Sequence, residues 1–481
     1  GSGTSSSASG IPDCTIKENY MEEVSEKTQT PDTEKEDTTE NNIADETDKN
    51  SEPEKESPEE NANKQDNTYS ESDINTSEDT DSKLDDITDF TASMWKYFLI
   101  PDNEPESFPE YIVKSENCGK NSIIAARVRG KKHKHEGTNC DDWFETASSG
   151  DIMYIAVADG AGSKKYSRIG AKEACRTVCG YLKYTFETEI INNNILQNLS
   201  SDLSDESCIS VCRTLAGIVQ HSIKKAYGAV ENAFYSRFSN NVYSDLLGRT
   251  INIHDFSSTL LVAVVVPIEN EPNKKLIISC QIGDGMIALI NTNESFEKSA
   301  KLMGEPDSGD FSGETDFLTS KNLLESDSLV FRTRLSVDSS DIMMIMTDGV
   351  SDDYFPNESQ MHRLYFDLLT NGILSPDKNL TSSELTPNQF EMIKKLPEPV
   401  VYPWVNDNTV KIGLNYTKNI CNKMNISLEK LWDERSALSS ARVQVKGMPN
   451  DADAGERLKI WLGNYVERGS FDDRTLVIIK M

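Results

Sequence analysis

The sequence predicts an α+β fold in which helices pack on antiparallel sheets. Apolar, β-branched runs typical of strands occur in two groups, one before and one after two long helical stretches at about 168–190 and 208–237. The second stretch has apolar residues close to the helical period, as at Val211, Leu215 and Ile218. This order does not match the regular strand–helix alternation of a parallel sheet, which leaves the α+β class.

The elements follow in chain order. The first group contains predicted strands at 121–128 and 152–158, separated by a polar loop at 131–145. After the two helices, strands are predicted at 258–267, 276–282, 286–291, 327–332, 341–347 and 475–480. A loop rich in Gly, Asp and Ser occupies 303–316, and residues 354–460 form a long insertion before the last strand.

The negative charge of the chain is concentrated near its beginning. The formal net charge is −31 over 481 residues, and residues 11–90 alone contain 27 acidic and 7 basic side chains. This stretch has few aromatic or branched apolar residues, so burial could not offset the entropy lost on ordering. We therefore predict that residues 1–88 are a disordered acidic segment and that residues 89–481 form the folded domain.

The composition also argues against several classes of function. The basic cluster at 129–135 is too short to predict a nucleic-acid surface, and no apolar run reaches the roughly 18 residues of a membrane helix. Nine scattered cysteines indicate reduced thiols and a cytoplasmic protein. The helical spacing of Cys175/Cys179 and Cys208/Cys212 leaves a zinc site open, beside the favoured interpretation as small core residues.

Acidic residues recur at the ends or starts of predicted strands, and several of them lie beside glycine. The stretches are "CDDW" (140–143), "VADGAGS" (157–163), "QIGDGMIAL" (281–289), "MTDGVSDD" (346–353) and "SFDDRTLVI" (470–478). One Asp-Gly pair is ordinarily a turn. Several carboxylates that converge at one sheet edge, however, repel one another unless they share protons or bind cations. Carboxylate, carbonyl and water ligands suit Mg²⁺ or Mn²⁺.

Asp159 and Gly160 indicate what such a centre could do. Asp159 can bridge two cations, while Gly160 lets the chain turn and present its carbonyl oxygen. Two metals about 3.5–4 Å apart lower the pKa of a water between them and bind the oxygens of a displacement at phosphorus. The sequence therefore predicts phosphoester hydrolysis.

Six stretches in order carry a family resemblance: "GTNCDDW", "VADGAGS", "FSSTLL", "IGDGMIAL", "TDGVSDD" and "DDRTLVI". They resemble the motifs of the metal-dependent PPM (type 2C-like) serine/threonine protein phosphatases. The first motif is similar to that of the bacterial-type branch, His-x3-Gly-x2-Cys-x-Asp, read here at His133, Gly137, Cys140 and Asp142. The resemblance covers about 121–480. It implies a four-layer α-β-β-α sandwich of two antiparallel sheets flanked by helices, with the metal centre between the sheets.

The resemblance also implies roles for individual residues. The implied metal ligands are Asp141, Asp142, Asp159, Gly160, Asp284, Asp348, Asp352 and Asp472. Asp159 would bridge two Mn²⁺ or Mg²⁺ ions, and Gly160 would bind one of them through its carbonyl. Asp348 and Asp472 would complete the first site. Asp142 would serve the second, beside Asp141, which stands where the family often has Glu. Asp284 and Asp352 match positions that support a third, weaker ion in many members, and a metal-bridged water would attack directly.

Two departures from the family pattern leave roles open. A histidine proposed as general acid in many members is Ala161 here, and a phosphate-binding arginine is Gly137. His133 is the expected catalytic residue beside Asp159 and Asp142, with His135 as an alternative source of the proton. The candidates for the phosphate anchor are Arg168, Arg129 and Lys164. The doublets Asp352/Asp353 and Asp472/Asp473 leave the liganding member undecided.

Three hypotheses follow for function. The first is an active phosphatase on phosphoserine and phosphothreonine, whose partners are phosphoproteins such as a serine/threonine kinase or its targets. The second is a pseudophosphatase that keeps the fold and acts as a binding or regulatory module. The third adds to the first: the acidic segment would tether a basic partner in a salt-sensitive way, lost on deletion of residues 1–88.

Overall fold

The computed structural model describes residues 95–294, 296–304, 316–320, 322–354, 357–374, 422, 425, 452–464 and 471–481. The predicted disordered segment 1–88 lies outside these residues, as do most of the insertion at 354–460 and much of the loop at 303–316.

Eleven strands in the described part of the chain form two antiparallel sheets. They are Tyr111–Cys118 (β1), Asn121–Val128 (β2), Trp143–Ser149 (β3), Ile152–Ala158 (β4), Leu260–Pro267 (β5), Lys275–Ile282 (β6), Met286–Ile290 (β7), Ala300–Leu302 (β8), Thr333–Asp338 (β9), Ile342–Met346 (β10) and Arg474–Lys480 (β11). The first sheet has the order β1-β2-β11-β10-β7-β8 and the second β3-β4-β5-β6-β9. The last strand of the chain thus lies in the middle of the first sheet, between β2 and β10.

The helices flank the sheets. They are Lys131–Glu136 (α1), Ser167–Thr185 (α2), Glu206–Phe238 (α3), Asn241–Leu247 (α4), Phe296–Ser299 (α5), Ser326–Arg332 (α6), Asp348–Ser351 (α7), Asn357–Thr370 (α8) and Ala454–Asn464 (α9). A π-helical turn, Phe186–Ile191, extends α2, and 3₁₀ turns occur at Ile195–Asn198, Ile253–Phe256 and Asp352–Tyr354. Among the helices described, none is both long and apolar enough to cross a membrane.

Three buried clusters give the molecule four layers. Alternate residues of β4 point to opposite faces, as the pleat of a strand requires. Met153 and Ile155 lie in the cluster between the two sheets, whereas Tyr154 and Ala156 pack under α2 and α3. On the far side of the first sheet, α8 and α9 cover the third cluster. Because both of their faces are buried, the strands β4, β5, β7 and β10 are apolar throughout. The predicted α-β-β-α sandwich is confirmed.

Two local predictions were wrong. Residues 327–332 are helical and the strand follows at Thr333–Asp338. In the apolar run 329–331, Leu329 is fully buried, whereas Val330 and Phe331 are exposed. The run therefore does not pack as an inner strand. Part of the predicted loop at 131–145 is the helix α1, which ends where Gly137 adopts a left-handed φ of 72°. Tertiary contacts described below hold this short helix.

The paired cysteines are core residues. Cys175, Cys179, Cys208 and Cys212 belong to the cluster under α2 and α3, and all four are free thiols. The thiol of Cys179 lies 3.3 Å from the carbonyl oxygen of Glu145 on the adjacent strand. No cysteine belongs to a potential metal-binding group in the described residues, so the zinc alternative gains no support from them.

We predict that Gly170→Ala destabilises the fold while Gly180→Ala, on the same helix, does not. A Cβ atom at Gly170 would lie 1.9 Å from the carbonyl oxygen of Phe256, and backbone cannot move aside easily. Overpacking of this kind costs roughly 1–3 kcal/mol. At Gly180 a Cβ meets nothing within 4 Å, so alanine should add about 0.5–1 kcal/mol of stability. Urea unfolding of both variants checks this, and equal effects at the two sites would contradict the packing of α2 described here.

Candidate metal centre

Carboxylates from both sheets meet at one end of the sandwich. Asp159 follows β4, Asp348 follows β10, and Asp284 lies in the turn between β6 and β7. Carboxylate oxygens of these three residues lie within 4.8 Å of one another. Asp284 is flanked by Gly283 and Gly285, whose φ values of 90° and 93° favour glycine. The two glycines let a tight turn carry the carboxylate into the centre.

Asp159 is fixed through its backbone. Its N–H donates to the hydroxyl of Thr259, and its carbonyl accepts from the N–H of Thr259, both at 2.8 Å. The next residue must be glycine for steric reasons. A Cβ at Gly160 would lie 2.8 Å from both the carbonyl oxygen of Asp141 and the hydroxyl of Ser167. The Asp-Gly pair that stands out in the sequence thus lets three chain segments approach closely beside the carboxylate.

Asp142 is oriented by two hydroxyl groups. Its side chain is buried, and its Oδ2 accepts hydrogen bonds from Thr347 at 2.8 Å and from Thr475 at 2.6 Å. Thr347 directly precedes Asp348, and Thr475 follows Asp472 by three residues. The carboxylate of Asp142 therefore links the end of β10 to the start of β11, and these segments carry two further acidic residues of the centre.

The members of the doublet Asp472/Asp473 differ in their surroundings. Asp473 is buried, and its carboxylate accepts hydrogen bonds from the backbone N–H groups of Gly130 and Asp141, each at 2.6 Å, and binds Nδ1 of His133 at 2.8 Å. Asp472 is only partly buried, and its charge acts on Asp159 and Asp348. Asp473 is thus committed to protein contacts, whereas Asp472 faces the acidic centre.

His133 lies between two carboxylates. Besides its contact with Asp473, its Nε2 is 3.6 Å from a carboxylate oxygen of Asp141. Burial alone would lower the pKa of His133, but the charge and hydrogen bond of Asp473 and the charge of Asp141 raise it to about 9. The imidazole is therefore protonated at neutral pH. Burial in turn raises the pKa of Asp141 to about 8, against the charge of His133.

The members of the doublet Asp352/Asp353 also differ in their surroundings. The buried carboxylate of Asp353 lies 3.3 Å from Nη2 of Arg474. Asp352 is exposed at the rim. Its pKa is raised by desolvation and by the charges of Asp284 and Asp472. Asp352 is therefore the member that faces the acidic centre.

The electrostatics of the centre fit divalent cations. Burial, followed by the charges of Asp348, Asp142 and Asp472, raises the pKa of Asp159 well above its usual value. Burial and the charges of Asp284 and Asp472 raise the pKa of Asp348 to about 7. One buried oxygen of Asp348, Oδ1, has no hydrogen-bond partner among the described residues. Carboxylates that repel one another are stabilised by a bound cation. Carboxylate oxygens are also the ligands that Mg²⁺ and Mn²⁺ prefer.

The arginines considered as phosphate anchors have partners inside the protein. Arg168 donates to the carbonyl oxygens of Lys165 and Pro105 at 2.7 and 2.6 Å and pairs with Glu104 at 3.1 Å. Arg129 pairs with Glu110 at 2.7 Å. Both arginines are almost fully buried. The guanidinium groups therefore hold the segment 95–110 against the domain.

The remaining candidates from the sequence lie elsewhere. Nδ1 of His135 accepts from the N–H of Lys96 at 3.0 Å, and its ring packs edge-on to Trp95. The charge of Lys164 acts on Asp255, which caps a 3₁₀ turn. The sequence reasoning missed the supporting residues, above all Thr259, although each hydroxyl lies within a quoted motif. Thr347 directly precedes Asp348, and this adjacency is a signal that could have found it, whereas Thr259 and Thr475 are adjacent to no aspartate in the sequence.

The comparison with known proteins identifies the family. The profile described as protein phosphatase 2C matches residues 129–380, just over half of the chain. The chain belongs to the protein phosphatase 2C family. Members are serine/threonine phosphatases that depend on divalent metals, so the resemblance found in the motifs is confirmed. A search of curated proteins gives no match.

The phosphatase is also similar to solved structures at low identity. A serine-threonine phosphatase 2C from Toxoplasma gondii is 12% identical, with 77% of this chain and 99% of that chain covered and a TM-score of 0.34. Stp1 from Staphylococcus aureus is 12% identical, with 80% and 97% covered and a TM-score of 0.27. RsbX, solved in complex with magnesium, is 10% identical, with 77% and 99% covered and a TM-score of 0.29.

We predict that the metal-free phosphatase loses stability as the pH rises from 5 to 7.5. The folded-state pKa values of Asp348 and Asp141 are raised to about 7 and about 8, so the native state binds more protons than the unfolded state in this range. Its free energy of unfolding then falls with rising pH, by roughly 2 kcal/mol or more for the group as a whole. Bound metal should offset the loss.

Thermal unfolding in EDTA and in excess Mg²⁺ at the two pH values checks this. The difference between the melting temperature in Mg²⁺ and the melting temperature in EDTA should increase as the pH rises. A melting temperature in EDTA that increases over this range would contradict the described clustering of carboxylates.

Proposed function

We propose that this chain is an active protein phosphatase that hydrolyses phosphoserine and phosphothreonine with two divalent metal ions. The observation that carries the proposal is the complete acidic centre, in which Asp142, Asp159, Asp348 and Asp472 interact electrostatically. Family membership supplies the reaction class, and the unpartnered oxygen of Asp348 supports metal binding at this place. The phosphoproteins it acts on are proposed to be a serine/threonine kinase or that kinase's targets.

We assign the ligands as follows. Asp159 would bind both ions, and the carbonyl of Gly160 one of them. Asp348 and Asp472 would complete the first site, and Asp142 with Asp141 the second. Asp284 and Asp352 would hold a third, weaker ion. Two Mn²⁺ or Mg²⁺ ions, when bound, would lower the pKa of the attacking water and stabilise charge on the phosphoryl oxygens.

Other residues of the chain hold the proposed ligands in position and keep water away from the inner side of the centre. The hydroxyls of Thr347 and Thr475 fix one oxygen of Asp142, and Thr259 fixes the backbone of Asp159. Because these hydroxyls and carboxylates are already held in place, they need little rearrangement during the reaction. The sheets behind the centre bury its inner side, which strengthens the interaction of these carboxylates with a cation.

Lys132 is our candidate for the phosphate anchor. It is exposed on α1, and its N–H donates to the carbonyl of Phe471 at 2.9 Å, directly before Asp472. Its positive charge acts to lower the pKa of Asp472, although burial and Asp473 keep that pKa raised. An ammonium group at this rim can attract the phosphate of a substrate toward the metal ligands.

A second candidate function is a pseudophosphatase. It is favoured by Ala161 and Gly137, which replace two family residues. Gly137 has a structural reason, because its φ of 72° ends α1 and a Cβ there would lie 3.2 Å from the carbonyl oxygen of Leu99. A pseudophosphatase would bind metal without turnover. The complete ligand set argues against it.

The domain organisation is proposed along with the function. One phosphatase domain would span 89–481 with an insertion at about 354–460, and residues 1–88 would form an appended acidic segment that can bind a basic partner. The described cysteines are buried and form no disulfide, which supports a reducing, cytoplasmic setting.

We expect Asp159→Asn to abolish metal-dependent hydrolysis of a phosphothreonine peptide. Loss of a bridging ligand should reduce kcat/KM by more than about 100-fold, the upper range for losing only an outer-sphere partner. The assay compares Mn²⁺, Mg²⁺ and EDTA. Asp151→Asn is the matched control, because Asp151 lies before the other end of β4. Activity of Asp159→Asn close to wild type would refute the proposal, and metal binding by wild type without hydrolysis would favour the pseudophosphatase.

Lys132→Gln should raise KM for the phosphopeptide several-fold and leave the affinity for Mn²⁺ unchanged within about twofold, since one exposed charge contributes up to about 1 kcal/mol. Lys120→Gln is the control, because Lys120 is exposed at the β1–β2 turn. The effect should shrink at high salt. Equal kinetics for the two variants would show that Lys132 is not the anchor.

A further inference from the structure

We propose that His133 is a positioning residue that ties the two metal-binding segments together and sets the metal affinity of the centre, and that it is not the acid that protonates the leaving group. The inference rests on the proposed function for the identity of the metal ligands. It assigns His133 a role different from the catalytic one expected from the sequence.

The first support is the placement of both ring nitrogens. Nδ1 lies 2.8 Å from Oδ2 of Asp473 and Nε2 lies 3.6 Å from Oδ2 of Asp141. Asp141 is itself a proposed ligand and precedes the ligand Asp142, and Asp473 follows the proposed ligand Asp472. The imidazole therefore bridges a segment before β3 and a segment before β11, which are distant in sequence.

The second support is burial. His133 is 4% exposed and Asp473 2%. A general acid must come within hydrogen-bonding distance of the leaving oxygen, directly or through one water. Here one nitrogen is bonded to Asp473 and the other faces Asp141. A substrate could reach neither nitrogen without breaking this arrangement.

The third support is that Asp473 also organises the backbone. The same carboxylate accepts the N–H of Gly130, at the start of α1, and the N–H of Asp141. Removing the imidazole would leave a buried carboxylate with one partner fewer. This loss loosens the backbone that carries the neighbouring ligands.

The fourth support is the way in which α1 is held. The guanidinium of Arg129 donates to the carbonyl of His133 at 2.9 Å and to the carbonyl of Phe98 at 3.0 Å. The ring of Trp95 lies 4.7 Å from the ring of Phe471. Contacts of the segment 95–110 thus fix the helix that presents His133.

Outer-sphere partners of metal ligands ordinarily contribute 10–100-fold to metal affinity. His133→Ala should therefore raise the Kd for Mn²⁺ by about that factor. Calorimetry on EDTA-stripped, full-length protein measures it. His133→Asn should recover most of the affinity, because the asparagine amide can donate to Asp473 in place of Nδ1. His133→Gln, whose amide reaches the place of Nε2 instead, should stay weak. His254→Ala is the control, since His254 is exposed on a 3₁₀ turn.

Activity at saturating Mn²⁺ separates positioning from acid catalysis. A nitrophenolate leaves without a proton, whereas the alkoxide of serine or threonine needs one. A positioning role predicts that His133→Ala loses activity equally on p-nitrophenyl phosphate and on a phosphothreonine peptide when Mn²⁺ is limiting. Both activities should recover when Mn²⁺ is in excess. An unchanged Kd with a selective loss on the peptide would overturn the proposal.

Further outcomes are also decisive. If His133→Ala does not fold, the comparison of the Asn and Gln variants takes its place, and equal Kd values for these two would overturn the proposal. If wild type binds Mn²⁺ but hydrolyses neither substrate, the proposed function fails, while a raised Kd in His133→Ala still supports the positioning role.

Discussion

The crowding of negative charge at one end of the sandwich is the constraint on which the rest of the structure depends. Burial and the charges of neighbouring carboxylates raise the pKa values of Asp142, Asp159 and Asp348. Without a cation, such a group must hold protons at neutral pH. The fold tolerates the crowding because the carboxylates sit on strand ends that the surrounding layers fix, so they cannot move apart to relieve repulsion.

Neighbouring groups reduce this cost without neutralising the centre. Thr347 and Thr475 donate to Asp142, and Thr259 fixes the backbone of Asp159. His133 and two backbone N–H groups satisfy Asp473. The buried Oδ1 of Asp348, which has no hydrogen-bond partner among the described residues, is left for a ligand. The same division explains why two adjacent aspartates, with the same chemistry, have different roles: one supports the backbone and the other faces the centre.

Much of the fold could be predicted because burial on both faces makes the central strands continuous apolar runs. The predicted strand at 121–128 agrees with β2 at both ends, and the predicted strand at 152–158 agrees with β4. The error at 327–332 has the opposite cause. A local apolar triplet resembles a strand, but only Leu329 faces the core, and sequence alone does not reveal which side chains a neighbouring layer will cover.

The candidate site was predictable in its acidic residues but not in their supporting contacts. Asp-Gly pairs after strands marked Asp159, Asp284 and Asp348. The choice between Asp472 and Asp473 depends on which carboxylate meets Gly130 and His133, some 340 residues away in the chain. Likewise, no pattern indicated that Arg168 would be used by the segment 95–110. Contacts between distant segments decide these roles, and they have no signature in local sequence.

The most direct test of the central claim is a crystal structure of the full-length protein grown with Mn²⁺, with anomalous scattering to locate the metal. The account predicts two strong peaks about 3.5–4 Å apart, both within bonding distance of the carboxylate of Asp159, with Asp473 still bonded to His133. A structure with no peak at Asp159, or with metal bound between His133 and Asp473 instead, would contradict it.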